Sequence, residues 1–317
     1  MDEILIRFGN FVSNLPGVVS QGLMYGVMAI GLYITFKILE ISDLTVDGSF
    51  CTGAATCLVS ITMGCSVWTA MLLAFILGMM TGAITGFLHT ICKIPAILAG
   101  ILTQMALFTI NMIIIGWEER SLEPLLGLSY TDPRLVSSKN LVEFEKFYEF
   151  PPFILTVITV VIIAVLYWFF GTELGASIRA TGANENMARA QGINTNINKM
   201  IGLMLANGLV ALAGGLFAQY NGSVDNKFGI GTIVIGLASI VIGDVLFGKL
   251  FKNFALKLLA VSFGAIVYYM VIQAVLTLLN VDSEYLKLMS AIIVAVFLTV
   301  PNLRKGHVKK HKKVEVS

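Results

Sequence analysis

Charge is scarce in this sequence. Only 13% of its 317 residues are Asp, Glu, Lys or Arg, and 57% are hydrophobic, whereas an average soluble domain is about 25% charged. A mean hydropathy of +0.86 leaves too little polar surface for a soluble protein of this length. The sequence therefore predicts an integral membrane protein, and its net charge of +2 does not indicate a nucleic-acid partner.

Residues that could build an enzyme or a metal site are also few. His89 is the only histidine outside the C-terminal tail, and no nucleophile–base pair surrounds it. The four cysteines form no C-x-x-C pair, so we expect them to be small buried hydrophobes. No catalytic residue and no metal ligand is predicted.

An ATP-binding loop is missing as well. Gly243 to Lys249 matches the spacing GxxxxGK, but Leu250 stands where the Ser or Thr that binds Mg²⁺ belongs. These glycines also close an apolar run instead of following a strand. We expect this chain to bind no cofactor and to hydrolyse no ATP.

What the chain has in abundance is long apolar runs. About 20 apolar residues in a helix cross the hydrocarbon core of a bilayer. The second run is weak because it is rich in Gly, Ser and Thr. The sequence predicts one all-α, polytopic permease-like domain over 1–317 with about 8–10 transmembrane helices. The predicted spans are 18–38, 47–64, 66–90, 94–116, 152–171, 200–220, 229–247, 256–279 and 285–301.

The distribution of Lys and Arg predicts the orientation, because cytoplasmic loops are enriched in both. Six of them lie in the tail 302–317, and the loops 172–199 and 248–257 contain others. Segment 117–151 has seven acids and four bases. We expect a basic cytoplasmic tail at the C-terminus, and an outer loop at 117–151 that either contacts a partner or lies at the membrane interface.

Segment 173–194, ELGASIRATGANENMARAQGIN, is too polar to span the membrane. Asn184 predicts an N-cap and Gly192 the C′ position of a short helix. Glu185 and Arg189 form an i,i+4 pair in the favourable order. The small side chains around Met187 favour docking into a protein groove over binding to a membrane surface.

This segment resembles the cytoplasmic loop of ABC-importer permeases of the branched-chain amino acid and ribose type. A second stretch, GLYITFKILEISDLTVDGSFCTGAA at 31–55, resembles the first conserved block of the same family, and LTVDGSF is most similar to a bacterial branch linked to tryptophan or related amino acids. The resemblance covers 18–300. The residues of the loop that carry it are Gly175, Ile178, Arg179, Ala180, Thr181, Gly182, Asn184, Ala188, Ala190, Gly192 and Ile193.

The resemblance implies a homodimeric permease of the bacterial inner membrane. A separate ABC ATPase subunit would hold ATP and Mg²⁺, and an extracytoplasmic substrate-binding protein or lipoprotein would deliver a small polar solute such as an amino acid. Segment 173–194 would be the coupling loop on which the ATPase acts. Its candidate coupling residues are Arg179, Thr181, Asn184, Glu185, Met187, Arg189 and Gly192.

Polar residues at membrane depth are costly and often functional. The stretch EISDLTVDGSF at 40–50 admits two interpretations: a helix break whose acids cap helix ends, with Asp47 as N-cap of the helix that follows, or a gate that contacts the cargo amine. Neutral amides and hydroxyls elsewhere would either line a passage or join helices by hydrogen bonds. The candidates for a path or gate are Asp43, Asp47, Ser49, Gln104, Asn111, Asn207 and Gln219.

Two further hypotheses concern the whole chain. Segments 20–34 and 201–222 are both glycine-rich and each precedes a polar break, which suggests the internal repeat common in transporters. The alternative function is an ion-coupled secondary transporter of a small neutral solute. That function needs an acid deep within a span, and Asp244, near the inner end of one, is the only candidate.

Overall fold

The computed structural model describes residues 2–115, 151–225, 227–248 and 253–279, together with positions 288, 291, 292, 294, 295 and 299. These parts of the chain are helical and contain no strand. A π-helical turn, Ile34–Ile38, extends the first helix. The α-helices are α1 (Asp2–Tyr33), α2 (Val46–Thr62), α3 (Val67–Thr90), α4 (Ala96–Ile115), α5 (Pro151–Gly171), α6 (Glu173–Ala183), α7 (Glu185–Ala190), α8 (Thr195–Asn221), α9 (Thr232–Phe247) and α10 (Phe254–Leu279).

The predicted all-α membrane architecture is confirmed. Among the described helices, six are long and apolar enough to cross a membrane: α1 with its π-helical turn, α3, α4, α5, α8 and α10. The weak second run is α2, a helix of 17 residues that is almost entirely buried. The ninth predicted span falls largely outside the described residues, as do the tail and all of the outer loop except Pro151.

The two shorter spans, α2 and α9, each follow a long helix and a polar break. After α1, the chain passes through 39–45 with Glu40 in the left-handed region (φ 55°). After α8, it passes through 222–231, where Gly222 and Gly231 have positive φ. The order of long helix, break and short helix therefore occurs twice in the described part of the chain.

Close contacts at glycines join helices from the first half of the chain to helices from the second half. Gly78, Gly82 and Gly86 of α3 lie against α8, and a Cβ at Gly82 would overlap the Leu203 carbonyl group. Gly22 of α1 lies equally close to the backbone of α10 at Ile266. Small residues allow such close approach of membrane helices, so the glycines of α3 serve to pack it against α8.

The centre of the bundle consists of α1, α2 and α8. The Tyr25 ring of α1 contacts those of Phe50 on α2 (5.7 Å between centroids) and Phe217 on α8 (5.1 Å). By contrast, α4 and α5 bury only 28% of their apolar windows, against 67% for α8. The outer faces of α4 and α5 are therefore available to lipid or to another protein.

Candidate translocation cleft and coupling loop

Asp43 is the first acid of the break and is 1% exposed. Its Oδ1 accepts a hydrogen bond from the Thr45 backbone N–H (2.8 Å) and its Oδ2 accepts one from the Asn207 amide (2.7 Å). A buried carboxylate is tolerated only when it is hydrogen-bonded in this way. Asp43 thus fixes the start of α2 against the middle of α8.

Ser49 continues this network. Its hydroxyl donates to the Asn207 Oδ1 (2.7 Å) and is hydrogen-bonded to Thr81 of α3 (2.8 Å). The gap beside Asp43 and Asn207 is too small for a water molecule. The structure therefore brings Asp43, Ser49 and Asn207 together, as interhelical hydrogen bonds in a closed core.

Asp47 lies in the first turn of α2, yet its carboxylate faces another helix. Oδ1 accepts hydrogen bonds from the Ile233 N–H and the Thr232 hydroxyl (both 2.9 Å), and Oδ2 accepts one from the Gly231 N–H (3.0 Å). It closes the N-terminus of α9 across 184 positions of sequence. The prediction that Asp47 caps its own helix is wrong, because α2 begins at Val46 with Thr45 as N-cap residue.

A cavity of about 390 Å³ lies beside Asp47, between α2, α4 and the break before α9. Gln104 and Asn111 of α4 also line it, so three of the predicted path residues meet there. The Asn111 amide is held by the Thr52 hydroxyl (2.8 Å) and the Gly48 carbonyl (3.3 Å). Within the described part of the chain, the Gln104 side chain makes no hydrogen bond.

The remaining wall of this cavity is apolar and contains Ile101, Met105 and Phe108. One carboxylate neutralised by a helix N-terminus, two amides and an apolar wall suit a neutral or zwitterionic solute with an apolar part. Gln219 lies elsewhere, and its amide donates to the Cys57 Sγ at 3.0 Å.

The coupling segment folds as two helices, α6 and α7, separated at Asn184. The Asn184 Oδ1 accepts a hydrogen bond from the Met187 N–H (3.0 Å), and Gly192 has φ 83° after the helix. Both predicted helix boundaries are confirmed. Met187 is 59% exposed while the adjacent Ala188 is 3% exposed, so α7 has one buried face and one free face.

Glu185 connects α7 to α8. Its carboxylate pairs with Arg189 and with Lys199, each at 2.7 Å, and accepts a hydrogen bond from the Thr195 hydroxyl (3.2 Å). The hydrogen bond from Lys199 is the main cause that lowers the pKa of Glu185 below its ordinary value. The i,i+4 pair was predicted, but the contact with Lys199 was not.

Glu185→Gln should therefore lower the melting temperature of the purified chain at neutral pH. Because the pKa of Glu185 is lowered on folding, its ion pairs stabilise the folded state above the ordinary carboxyl pKa and are lost as pH falls through the lowered pKa. We expect a loss of about 0.5–1 kcal/mol that disappears on acidification, measured by thermal unfolding at several pH values. Glu173→Gln, at an exposed acid of α6, is the control and should show no such pH-dependent loss.

The C-terminal end of α6 is attached to the π-helical turn after α1 and to α8. Gly182 lies directly on the Ile38 carbonyl group at the end of the π-helical turn, and the Asn198 amide of α8 donates to the Thr181 hydroxyl at 3.0 Å. Arg179 is exposed and lines a separate surface cavity. Of the predicted coupling residues, Arg179 and Thr181 thus lie on α6, outside α7.

Asp244 was the only acid that sequence offered to an ion-coupled mechanism. It lies near the end of α9 and pairs with Lys37 at 2.8 Å. The side chain of Asp244 is 38% exposed and that of Lys37 is 56% exposed. Asp244 therefore belongs to a partly exposed ion pair at one end of the bundle.

Comparison with known proteins agrees with this architecture. The family described as "Branched-chain amino acid transport system / permease component" matches residues 14–300. The chain is 36% identical to a tyrosine transport system permease protein of Clostridioides difficile strain R20291 over 304 residues, 96% of either chain. It is 25% identical to the ribose import permease protein RbsC of Escherichia coli strain K12, covering 93% of this chain and 87% of that protein.

A solved structure shows a similar fold. PsaBC from Streptococcus pneumoniae, in complex with Fab, aligns with a TM-score of 0.52 and 16% identity, covering 92% of this chain and 95% of that one. In the matching family the ATPase is a separate subunit, so this chain is a membrane permease component and not an enzyme. The chain belongs to the ABC-transporter permeases of the branched-chain amino acid and ribose type.

Proposed function

We propose that the chain is the permease subunit of an ATP-driven importer of an amino acid. The observation that carries this proposal is α7, whose buried face is fixed to the bundle while Met187 remains exposed beside it. Such a surface suits docking to a separate ATPase subunit, which would hold the ATP and Mg²⁺. The loop would then face the cytoplasm, together with the C-terminus of a bacterial inner-membrane protein.

Movement of α7 would reach the cleft through a continuous set of contacts. Glu185 pairs with Lys199 at the start of α8, and Asn207, two turns further along, holds Asp43 and Ser49. Since Asp47 follows directly in α2 and closes α9, a shift of α8 would alter the wall of the cleft. Two copies of the chain with two ATPases would alternate access of this path.

An amino acid with an aromatic or apolar side chain is the proposed cargo. The similar protein from Clostridioides difficile is named as a tyrosine transport system permease, and Met105 and Phe108 give the cleft an apolar wall beside the free Gln104 amide. An extracytoplasmic substrate-binding protein or lipoprotein would deliver the cargo. Selection would then depend mainly on that protein, because the cleft is open.

The test is purification of the tagged chain from its native host in mild detergent, followed by mass spectrometry. An ABC ATPase should copurify in about equal amount, and Met187→Glu should reduce it about tenfold, equivalent to about 1.4 kcal/mol. Met63→Glu is the matched control, because Met63 is 79% exposed but lies on the opposite side of the bundle, between α2 and α3. It should leave the ATPase bound.

Uptake into vesicles that contain the purified proteins distinguishes the proposed importer from the alternative, an ion-coupled secondary transporter. Under the proposal, radiolabelled tyrosine or tryptophan enters only when ATP and the binding protein are present. Uptake driven by an ion gradient, by a chain with no ATPase partner, would instead show a secondary transporter. If the chain is a secondary transporter, Met187→Glu should not change uptake.

A further inference from the structure

A second cavity, of about 480 Å³, opens at the end of α5 where the chain turns into α6. Its lining comes from three helices: Tyr167, Trp168 and Phe170 of α5, Arg179 of α6, and Phe254 at the start of α10. It is separate from the translocation cleft, and nothing in the proposed transport mechanism requires it.

The aromatic part of this cavity lies at the level of a membrane interface. Tyr167 and Trp168 are 57% and 72% exposed in the last turns of an apolar membrane-spanning helix. Tyr and Trp concentrate at this position because their rings have both an apolar body and a polar edge. Phe170 packs on Phe254 with 5.1 Å between ring centroids and forms an apolar floor.

Arg179 is the one charged residue among the described residues of the lining. Its side chain is exposed, and it forms no hydrogen bond or ion pair with any residue that the structure describes. Glu173, the nearest acid along the chain, is not part of the lining. A guanidinium group offers paired donors that match the geometry of a phosphate oxyanion.

We infer that this cavity binds an anionic phospholipid, with the phosphate on Arg179 and the glycerol and upper acyl chains against Trp168 and Phe170. A basic side chain between membrane helices at an aromatic belt is the arrangement that recognises a lipid headgroup. Because Arg179 lies on α6, two residues before Thr181 and three before Gly182, the lipid would fix the coupling helices to the membrane plane. The inference rests on the proposed function in one respect only: the placement of α6 on the cytoplasmic side of the membrane.

The experiment uses the full chain with Trp68 and Trp117 replaced by Phe, which leaves Trp168 as the only one of three tryptophans. The protein is placed in phosphatidylcholine vesicles that contain a small, fixed fraction of either brominated phosphatidylglycerol or brominated phosphatidylcholine. Bromine quenches tryptophan fluorescence only at contact, so the ratio of quenching reports lipid preference at Trp168. We expect an approximately fivefold preference for phosphatidylglycerol, as one basic residue near the surface provides.

Arg179→Gln should reduce this preference to about one. Lys93→Gln is the matched control: Lys93 is also exposed at the same end of the bundle, in the loop between α3 and α4, and should leave the preference unchanged. Equal quenching by both lipids, or equal effects of both substitutions, would overturn the inference. Displacement of the preference by dissolved inorganic phosphate would show a site for free phosphate instead.

Arg179 could instead contact the ATPase subunit, and the variants also test this alternative. If Arg179→Gln keeps the lipid preference but prevents copurification of the ATPase, Arg179 belongs to the docking surface and the lipid inference is wrong. The quenching measurement needs neither ATPase nor transport. Its result therefore stands even if the proposed import function fails.

Discussion

Asp47→Ala is expected to reduce uptake about a hundredfold and to lower the amount of folded protein. The substitution removes the only carboxylate that accepts hydrogen bonds from Gly231, Thr232 and Ile233. Loss of an N-cap costs about 0.5–2 kcal/mol, and each buried donor left without an acceptor costs about 1–3 kcal/mol more. The Thr232 hydroxyl can still donate to the Gly229 carbonyl (3.0 Å), so the loss falls mainly on the N–H groups of Gly231 and Ile233. Uptake of labelled amino acid and the thermal melting of the purified chain measure the two effects.

Two companion variants separate the interpretations left open for this acid. Asp47→Asn keeps one oxygen acceptor, so a pure capping role predicts folded protein with most of its uptake, whereas contact with a cargo amine predicts folded protein without uptake. Glu40→Ala removes an exposed acid from the same break and should resemble the unmodified chain. A normal melting temperature and normal uptake for Asp47→Ala would show that closing α9 is unimportant.

Gly182→Ala is expected to uncouple ATP hydrolysis from uptake. A Cβ at this position would overlap the carbonyl oxygen of Ile38, so α6 must move away from the π-helical turn. Overpacking of this kind costs about 1–3 kcal/mol, or about 5- to 150-fold in an equilibrium. The uptake per ATP hydrolysed, in vesicles containing the complete transporter, measures the effect.

Gly171→Ala provides the matched control for this substitution. Gly171 ends α5 just before the same loop, and a Cβ there would meet no atom within 4 Å. It should leave uptake per ATP unchanged. Equal losses for Gly171→Ala and Gly182→Ala would show that any alanine in this loop is harmful, and that the contact with Ile38 has no special role.

Features determined by neighbouring residues could be predicted from the sequence. Asn184, Glu185 and Gly192 lie within one short helix and its ends, so their caps and i,i+4 pair follow from local rules. The membrane spans follow from run length. The small-residue face of α3 follows from glycines at four-residue spacing, and it lies against α8 as that spacing indicates.

Features that join distant segments could not be predicted in this way. Asp47 lies in the first turn of α2, and no local signal points to its actual partners near Thr232. Arg179 matches the family pattern along the chain, but the turn after α5 places it beside Trp168. Lys199 is four residues beyond Thr195, and only the antiparallel return of α8 brings it to Glu185.

The glycine contacts between α3 and α8 also limit how the bundle can deform. Gly78 and Gly82 bring α3 close to the backbone of α8. At these positions no long, flexible side chain separates the two helices. Sliding one helix along the other would press the Leu203 carbonyl group against the backbone of α3 at Gly82, so we expect the two helices to move together. α4 and α5 bury far less of their surface, so they can shift more easily than this pair, and a shift of α4 would change the wall of the cleft that contains Gln104.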